Sequence, residues 1–195
     1  MSGVETVRAT EIAGVVEVIR RKRGDDRGYL ERLFDAKDMA DAGWPGPIAQ
    51  VNRTHTRHAG TVRGMHYQTG DASEAKLVSC LSGRVFDVAV DLRDGSPTFG
   101  RWVAVELSPD AGNALLIPQG CAHGVQALDD DSTLVYVHSH AYAPEAEAGV
   151  NATDPALGID WPLPLEPRSP RDVSLPPLAA ATLPGVRSLS DGTPR

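Results

Sequence analysis

The sequence predicts an all-β sandwich or barrel, on three observations. Short apolar runs recur along the chain, turn-forming residues separate them, and several runs alternate apolar and polar side chains. The 19 glycines and 15 prolines are spread throughout, so the chain is interrupted at the spacing of strands.

Taken in order, the candidate strands are GVVEVIR (14–20), YLERLFD (29–35), IAQVNRTH (48–55), GTVRGMHYQ (60–68), AKLVSCLSG (75–83), RVFDVAVDLR (84–93), GRWVAVELS (100–108), NALLIP (113–118), AHGVQALD (122–129) and TLVYVHSHAY (133–142). In RVFDVAVDLR, Phe86, Val88 and Val90 fall on one face and Asp87, Ala89 and Asp91 on the other, the period of a strand. AKDMADAG (36–43) is the one clear helical piece, and it is short. Arg20, Arg21, Lys22 and Arg23 form a basic run that reads as a solvated turn. After about Asp172 the composition shifts to Pro, Ser, Gly and Thr. This predicts one domain over 1–172 and a tail over 173–195, draped on the barrel at first and frayed at its end.

Apolar residues make up 41% of the 195 and charged residues 23%, the balance of a soluble globule. No apolar run approaches the roughly 18 residues of a membrane helix. The first residues carry no apolar stretch ahead of a small-residue cleavage site, so the expectation is a cytoplasmic protein with no membrane partner. Cys80 and Cys121 read as reduced, buried small hydrophobes. A net charge of −7 argues against nucleic acid as a partner, while a few Arg and Lys in a pocket would still hold one small anion.

Two segments resemble the paired motifs of the cupin superfamily. Gly60 stands six residues before His66, and Gly83 closes that segment; Gly112, Pro118, Gly120 and His123 follow the second motif residue for residue. The resemblance implies a double-stranded β-helix (jelly-roll) barrel with a few short helices and inward-pointing histidines. Metal cupins bind their ion through a His-x-His pair and a Glu, about three donors of suitable type. Here the second His is replaced by Gln68, a poor transition-metal ligand, and Glu74 lies further along than the metal pattern puts it. The expectation is that no metal is bound.

RGMHYQ (63–68) together with Lys76 is similar to the signature of the dTDP-4-dehydrorhamnose 3,5-epimerase family. The same pattern continues through GDDRGYL, Gln50 with Asn52, KLVSCLSGRVFDVAVDLRDGSPTFGRW (76–102), LLIPQGCAHGV (115–125), Tyr136, Tyr142-Ala-Pro, DPALGIDWP (154–162) and the SPRD ending at Asp172. The resemblance covers about residues 10–172. It implies an epimerase of a nucleoside-diphosphate 4-keto-6-deoxy sugar that needs no cofactor. His66 matches the general base, Asp172 its carboxylate partner, Tyr136 the acid on the opposite face of the sugar, and Lys76 the residue near the C4 oxygen. Arg63 matches a diphosphate contact, and Arg27 one that comes from the partner subunit of a homodimer. Gln50, Asn52, His123 and Gln68 match other pocket positions. Where the family has RG-x-F-x-E this chain reads RGYLERLF, so Arg32 takes the Glu place and Glu31 falls on the other strand face. Leu116, Cys121 and Ala152-Thr153 also depart from the pattern, which implies a divergent member with an altered sugar or nucleotide preference.

The residue types suit this chemistry. Taking a proton from carbon beside a ketone needs a base with a pKa near 7, and a carboxylate on the far ring nitrogen holds imidazole in one tautomer. A cation at the C4 oxygen stabilises the enolate, and a phenol near that cation is expected to lose its proton more readily. No GxGxxG fingerprint or GxxxxGK[ST] loop is present. Other readings of the same barrel are a 3,4-ketoisomerase of nucleotide sugars, a metal-dependent cupin and a non-catalytic sugar-nucleotide binder. For single residues, His123 reads equally as a pocket or a structural group. Asp172 also suits a turn cap, and Lys76 a solvated strand position. His55, His58, His138 and His140 read as surface or edge residues, unless an inward Tyr136 carries His138 and His140 to the barrel mouth.

Overall fold

A computed structural model describes residues 2–187. Thirteen strands run in chain order: β1 (Val4–Ala9), β2 (Val16–Arg20), β3 (Arg23–Asp25), β4 (Gly28–Leu30), β5 (Gln50–Thr56), β6 (Val62–Gln68), β7 (Lys76–Ser82), β8 (Val85–Asp91), β9 (Trp102–Leu107), β10 (Asn113–Ile117), β11 (Cys121–Ala127), β12 (Ser132–His138) and β13 (Glu147–Gly149). Two short helices, α1 (Ala36–Asp41) and α2 (Pro170–Val173), accompany them. One sheet has the order β1-β2-β10-β7-β12-β5, the second β13-β6-β11-β8-β9, and β3-β4 stands as a separate hairpin. The two large sheets close on each other as a jelly-roll barrel of antiparallel strands.

Alternation along each strand divides the apolar residues into three layers. Val78, Cys80, Ala89, Leu115, Val125 and Leu134 meet between the sheets. Val62, Tyr67, Val88, Val90 and Ala122 face outward and are covered by Val150, Ala152 and Leu157. Val18, Leu77, Ala114 and Val137 face outward on the other sheet beneath Met39 of α1 and Trp44. Phe86, Val88 and Val90 thus share one face of β8 and Ala89 the other, as the alternation predicts. Cys80 and Cys121 are buried free thiols.

Three expectations need correction. The run 29–35 forms a strand only as far as Leu30. Beyond it the Leu33 carbonyl accepts from the Arg20 guanidinium at 2.9 Å, and Asp35 caps α1, so this backbone is bonded elsewhere than in a ladder. Arg20 itself is no solvated residue: it is 5% exposed and also donates to Ser79 Oγ at 2.7 Å. The exposed strand β1 and the three-residue β3 and β13 are absent from the sequence reading. The beginning of the predicted tail, residues 173–187, hydrogen-bonds to the barrel. Tyr67 Oη donates to the Thr182 carbonyl at 2.7 Å, and Asp94 N to that of Val186 at 2.9 Å. The frayed end proposed for the tail lies outside the described residues.

The pairing of β6 with β11 fixes what the interior receives. His123 pairs with His66 but Val125 pairs with Arg63, so β6 has one residue more than its partner over this stretch. An extra residue reverses the alternation. Arg63 and His66, an odd number apart, therefore both line the interior cavity. Gly64 makes the irregularity possible: its φ is +127°, and a Cβ there would lie 2.5 Å from Gly124 Cα and 2.8 Å from the His123 carbonyl oxygen. Both are backbone atoms and cannot yield cheaply. Gly64→Ala is expected to destabilise the protein by about 1–3 kcal/mol or more in urea unfolding. An unchanged midpoint would show that β6 does not need this glycine.

Candidate active site

Between the sheets lies a cavity of about 340 Å³. Along β5, β11 and β12 every second residue lines it. β5 supplies Gln50, Asn52 and Thr54; β12 supplies Tyr136 and His138; β7 begins with Lys76. From the opposing sheet come Arg63, His66 and Gln68 of β6 and His123 of β11. Asp172 reaches the cavity from α2. Of the residues singled out from the sequence, this set brings together all but Arg27. Arg27 lies in the β3–β4 hairpin, is ion-paired with Asp25 and does not line the cavity of its own chain.

His66 Nε2 and Asp172 Oδ1 are 2.7 Å apart. Asp172 is not the cap of its turn. Ser169 caps α2 through its Oγ, which leaves the carboxylate for the imidazole. Burial is the largest single influence on the Asp172 pKa and works to raise it, but the hydrogen bond and charge of His66, with Ser169 and Arg171, together hold the carboxyl below its ordinary range. With Nε2–H donated to this carboxylate, Nδ1 is the ring nitrogen left as an acceptor.

Lys76 is buried and ion-paired with Glu74 Oε1 at 2.7 Å, and its Nζ also donates to the His66 carbonyl at 3.2 Å. It is therefore not a solvated strand residue. The Tyr136 ring lies edge-on to His123, with centroids 5.6 Å apart, and stacks on His138 at 6.2 Å. Its hydroxyl pKa is raised, first by burial and then by the Asp87 carboxyl, contrary to the expected lowering. Burial disfavours the phenolate, and this outweighs any cation nearby. His123 is held by Asp87, Nε2 to Oδ1 at 2.7 Å. Burial pushes the pKa of the wholly enclosed Asp87 upward against the pull of His123.

His138 and His140, both half-buried, line the cavity, as expected if Tyr136 points inward. The inward Tyr136 decides this for His138, two residues along the same strand. Burial, and then the Lys76 ammonium, lower the His138 pKa to about 4, so its ring is neutral at neutral pH. Asn52 Nδ2 lies 3.4 Å from its Nε2. Sequence reasoning also missed Glu74, Glu147 and Arg171 as cavity residues, and took Tyr142 only as part of the family pattern. At the rim Tyr142 Oη donates to Glu147 Oε2 at 2.8 Å, and Arg171 pairs with the other oxygen of Glu147. They arrive on separate parts of the chain: Glu74 precedes β7, Tyr142 follows β12, Glu147 opens β13 and Arg171 lies in α2.

The donors are arranged poorly for a metal ion. His66 and His123 each give a ring nitrogen to a carboxylate, and Gln68 occupies the third position of the cupin pattern. Among the described residues no group of three or more His, Cys, Asp or Glu side chains is placed to hold one.

The model of the dTDP-4-dehydrorhamnose 3,5-epimerase family matches residues 9–180. A dTDP-4-dehydrorhamnose 3,5-epimerase of Sinorhizobium fredii is 42% identical over 159 residues, covering 80% of each chain. A dTDP-4-dehydrorhamnose 3-epimerase of Streptomyces niveus is 40% identical over 85% of this chain and 80% of its own. The crystal structure of a dTDP-6-deoxy-D-glucose-3,5-epimerase from Legionella pneumophila, in complex with dTDP-4-keto-L-rhamnose, superposes with a TM-score of 0.88. It is 36% identical and the match covers 94% of this chain and 99% of that one.

The cavity generates a pH prediction. Folded His138 takes up its proton near pH 4, whereas an unfolded histidine does so near about 6.5. The unfolded chain binds more protons between those values, so stability is complete above about 6.5 and falls as the pH drops toward 4. NMR titration should give a His138 midpoint near 4, and His138→Gln should flatten the stability profile in that window. A midpoint near 6.5 would contradict the burial argument.

Proposed function

This chain belongs to the dTDP-4-dehydrorhamnose 3,5-epimerase family, and from that premise we propose that it inverts C3, C5 or both of a nucleoside-diphosphate 4-keto-6-deoxy sugar through an enolate. The observation that carries this reading is the His66–Asp172 pair on one wall of a cavity whose facing wall holds Tyr136 and Lys76. His66 removes the proton beside the ketone, and Asp172 stabilises the imidazolium that forms. Lys76 donates to the C4 oxygen as negative charge develops there, a contribution of about 3–4 kcal/mol for one oriented donor. Tyr136 returns a proton to the opposite face, which is what turns exchange into inversion. Its raised pKa suits this role, because the phenol keeps its proton until a carbanion is present. No redox step is required, since the substrate already carries its ketone.

The same proposal extends outward. Arg63 meets the diphosphate, and Gln50, Asn52, His123 and Gln68 shape the sugar pocket. Tyr142, half exposed at the rim, offers a ring face to the nucleobase. Residues 1–172 form the catalytic domain and 173–195 its tail. A homodimer would bring Arg27 of the partner subunit to the mouth, since this arginine stands away from the cavity in a single chain. Two buried free thiols, and no helix among the described residues long and apolar enough to cross a membrane, are consistent with a cytoplasmic site of action.

Incubation with a dTDP-4-keto-6-deoxy sugar in heavy water tests the reaction: deuterium should enter at C3, C5 or both. His66→Ala should slow this wash-in about 10²- to 10⁴-fold. Tyr136→Phe should retain part of the exchange and lose most of the inversion. Wild-type wash-in in the His66 variant would remove the proposed base, and an unchanged inversion rate in the Tyr136 variant the proposed acid.

A further inference from the structure

Gln68, Glu74 and Lys76 form a closed set on the cavity wall, none more than 7% exposed. Gln68 is oriented by the backbone. Its Oε1 accepts from Ala143 N at 2.6 Å, and one N–H of its Nε2 is shared between the Ala72 carbonyl at 2.9 Å and the Ala141 carbonyl at 3.2 Å, which leaves the other for a third acceptor. The same Nε2 lies 2.6 Å from Glu74 Oε2. Glu74 is therefore held at both oxygens, by the Gln68 amide on one and the Lys76 ammonium on the other. The ammonium, with one N–H on the His66 carbonyl, keeps donor capacity for an oxygen in the cavity.

We propose that Glu74 is the positioning residue for Lys76, fixing the charge and direction of the ammonium that faces the substrate's ketone oxygen. This rests on the epimerase reading and identifies what makes its cation effective. A buried ion pair is a poor device for stability alone, because two ions lose their water. Holding a charge at one point of the cavity wall is what stabilising an oxyanion requires. The titratable groups around Lys76 are Glu74, His66, Asp87, Cys121, His123 and His138. Two of these are carboxyls, and Asp87 is already engaged by His123, so Glu74 is the counter-charge of Lys76. The set also explains Gln68. In the place where a metal cupin carries a histidine, the amide orients a carboxylate, and the cation held there is an ammonium.

Glu74→Gln preserves shape and removes the charge. In the heavy-water assay it should lower kcat on the order of 10- to 100-fold with little change in KM, the range typical of partners that orient a metal ligand. The alkaline limb of the kcat profile should move to lower pH, because the ammonium has lost its counter-charge. Glu74→Asp should recover part of the rate and return the limb toward wild type. A wild-type rate in Glu74→Gln, or equal losses in both variants with an unmoved limb, overturns the proposal. A substrate-free readout separates this from failure of the epimerase reading. By ¹⁵N NMR, Lys76 in Glu74→Gln should lose its proton at lower pH than in wild type, and coincident midpoints overturn the proposal whatever the enzyme does with sugars.

Discussion

Charge taken into the interior of a small barrel must meet another charge or a fixed dipole, and this constraint organises the molecule. Three carboxyl groups face three basic groups around one cavity: Asp172 on His66, Asp87 on His123, and Glu74 on Lys76. Two of the pairs join separate elements. Asp87 ties β8 to β11, and Asp172 ties α2, beyond the last strand, to β6. The segment leading to α2 also covers the outer face of that sheet through Val150, Ala152 and Leu157. The residues that place Asp172 against His66 are thus continuous with those that keep the sheet dry, and fold and site are secured by the same stretch of chain.

The sequence reveals the parts of this arrangement that depend on period and spacing. Alternation in RVFDVAVDLR locates both faces of β8, and the spacing from Gly112 to His123 brings a histidine onto the barrel wall. It reveals less where one side chain governs another segment's backbone. The Arg20 guanidinium occupies the Leu33 carbonyl and ends a strand that composition alone would extend to Asp35. The reversal at Gly64 is equally hidden: strict alternation would send Arg63 and His66 to opposite faces, and only the pairing of β6 with β11 shows that they share one. Family resemblance supplied both residues without supplying that reason.

Glu74 is hard to read for a different cause, and His138 is legible only through Tyr136 on the same strand face. A histidine two residues from Tyr136 and a glutamate two residues from Lys76 carry no signature of their own. Their significance comes from what lies across the strand. His138 is the ladder partner of both Gln50 and Lys76. The amide of Gln68, on the opposing sheet, reaches Glu74. Cross-strand neighbours are set by register, and register follows from turns and bulges that a residue-by-residue reading does not resolve.

The carboxyl beside the proposed base and the phenol of the proposed acid are shifted in opposite directions. Burial raises the Asp172 pKa, and His66, Ser169 and Arg171 together more than offset it, so the imidazole has an ionised partner. Tyr136, on the facing sheet, is pushed the other way by desolvation and by Asp87, so the phenol stays protonated. An ionised carboxylate beside the imidazole and a protonated phenol on the facing sheet are what the proposed base and acid require. The expectation that Lys76 would acidify the phenol fails for two reasons. Glu74 already compensates the ammonium, and His123 and His138 pack against the ring and bury it. A tyrosine acidified by lysine would stand partly ionised in the resting cavity and would have no proton to return; the neutral, crowded phenol retains one.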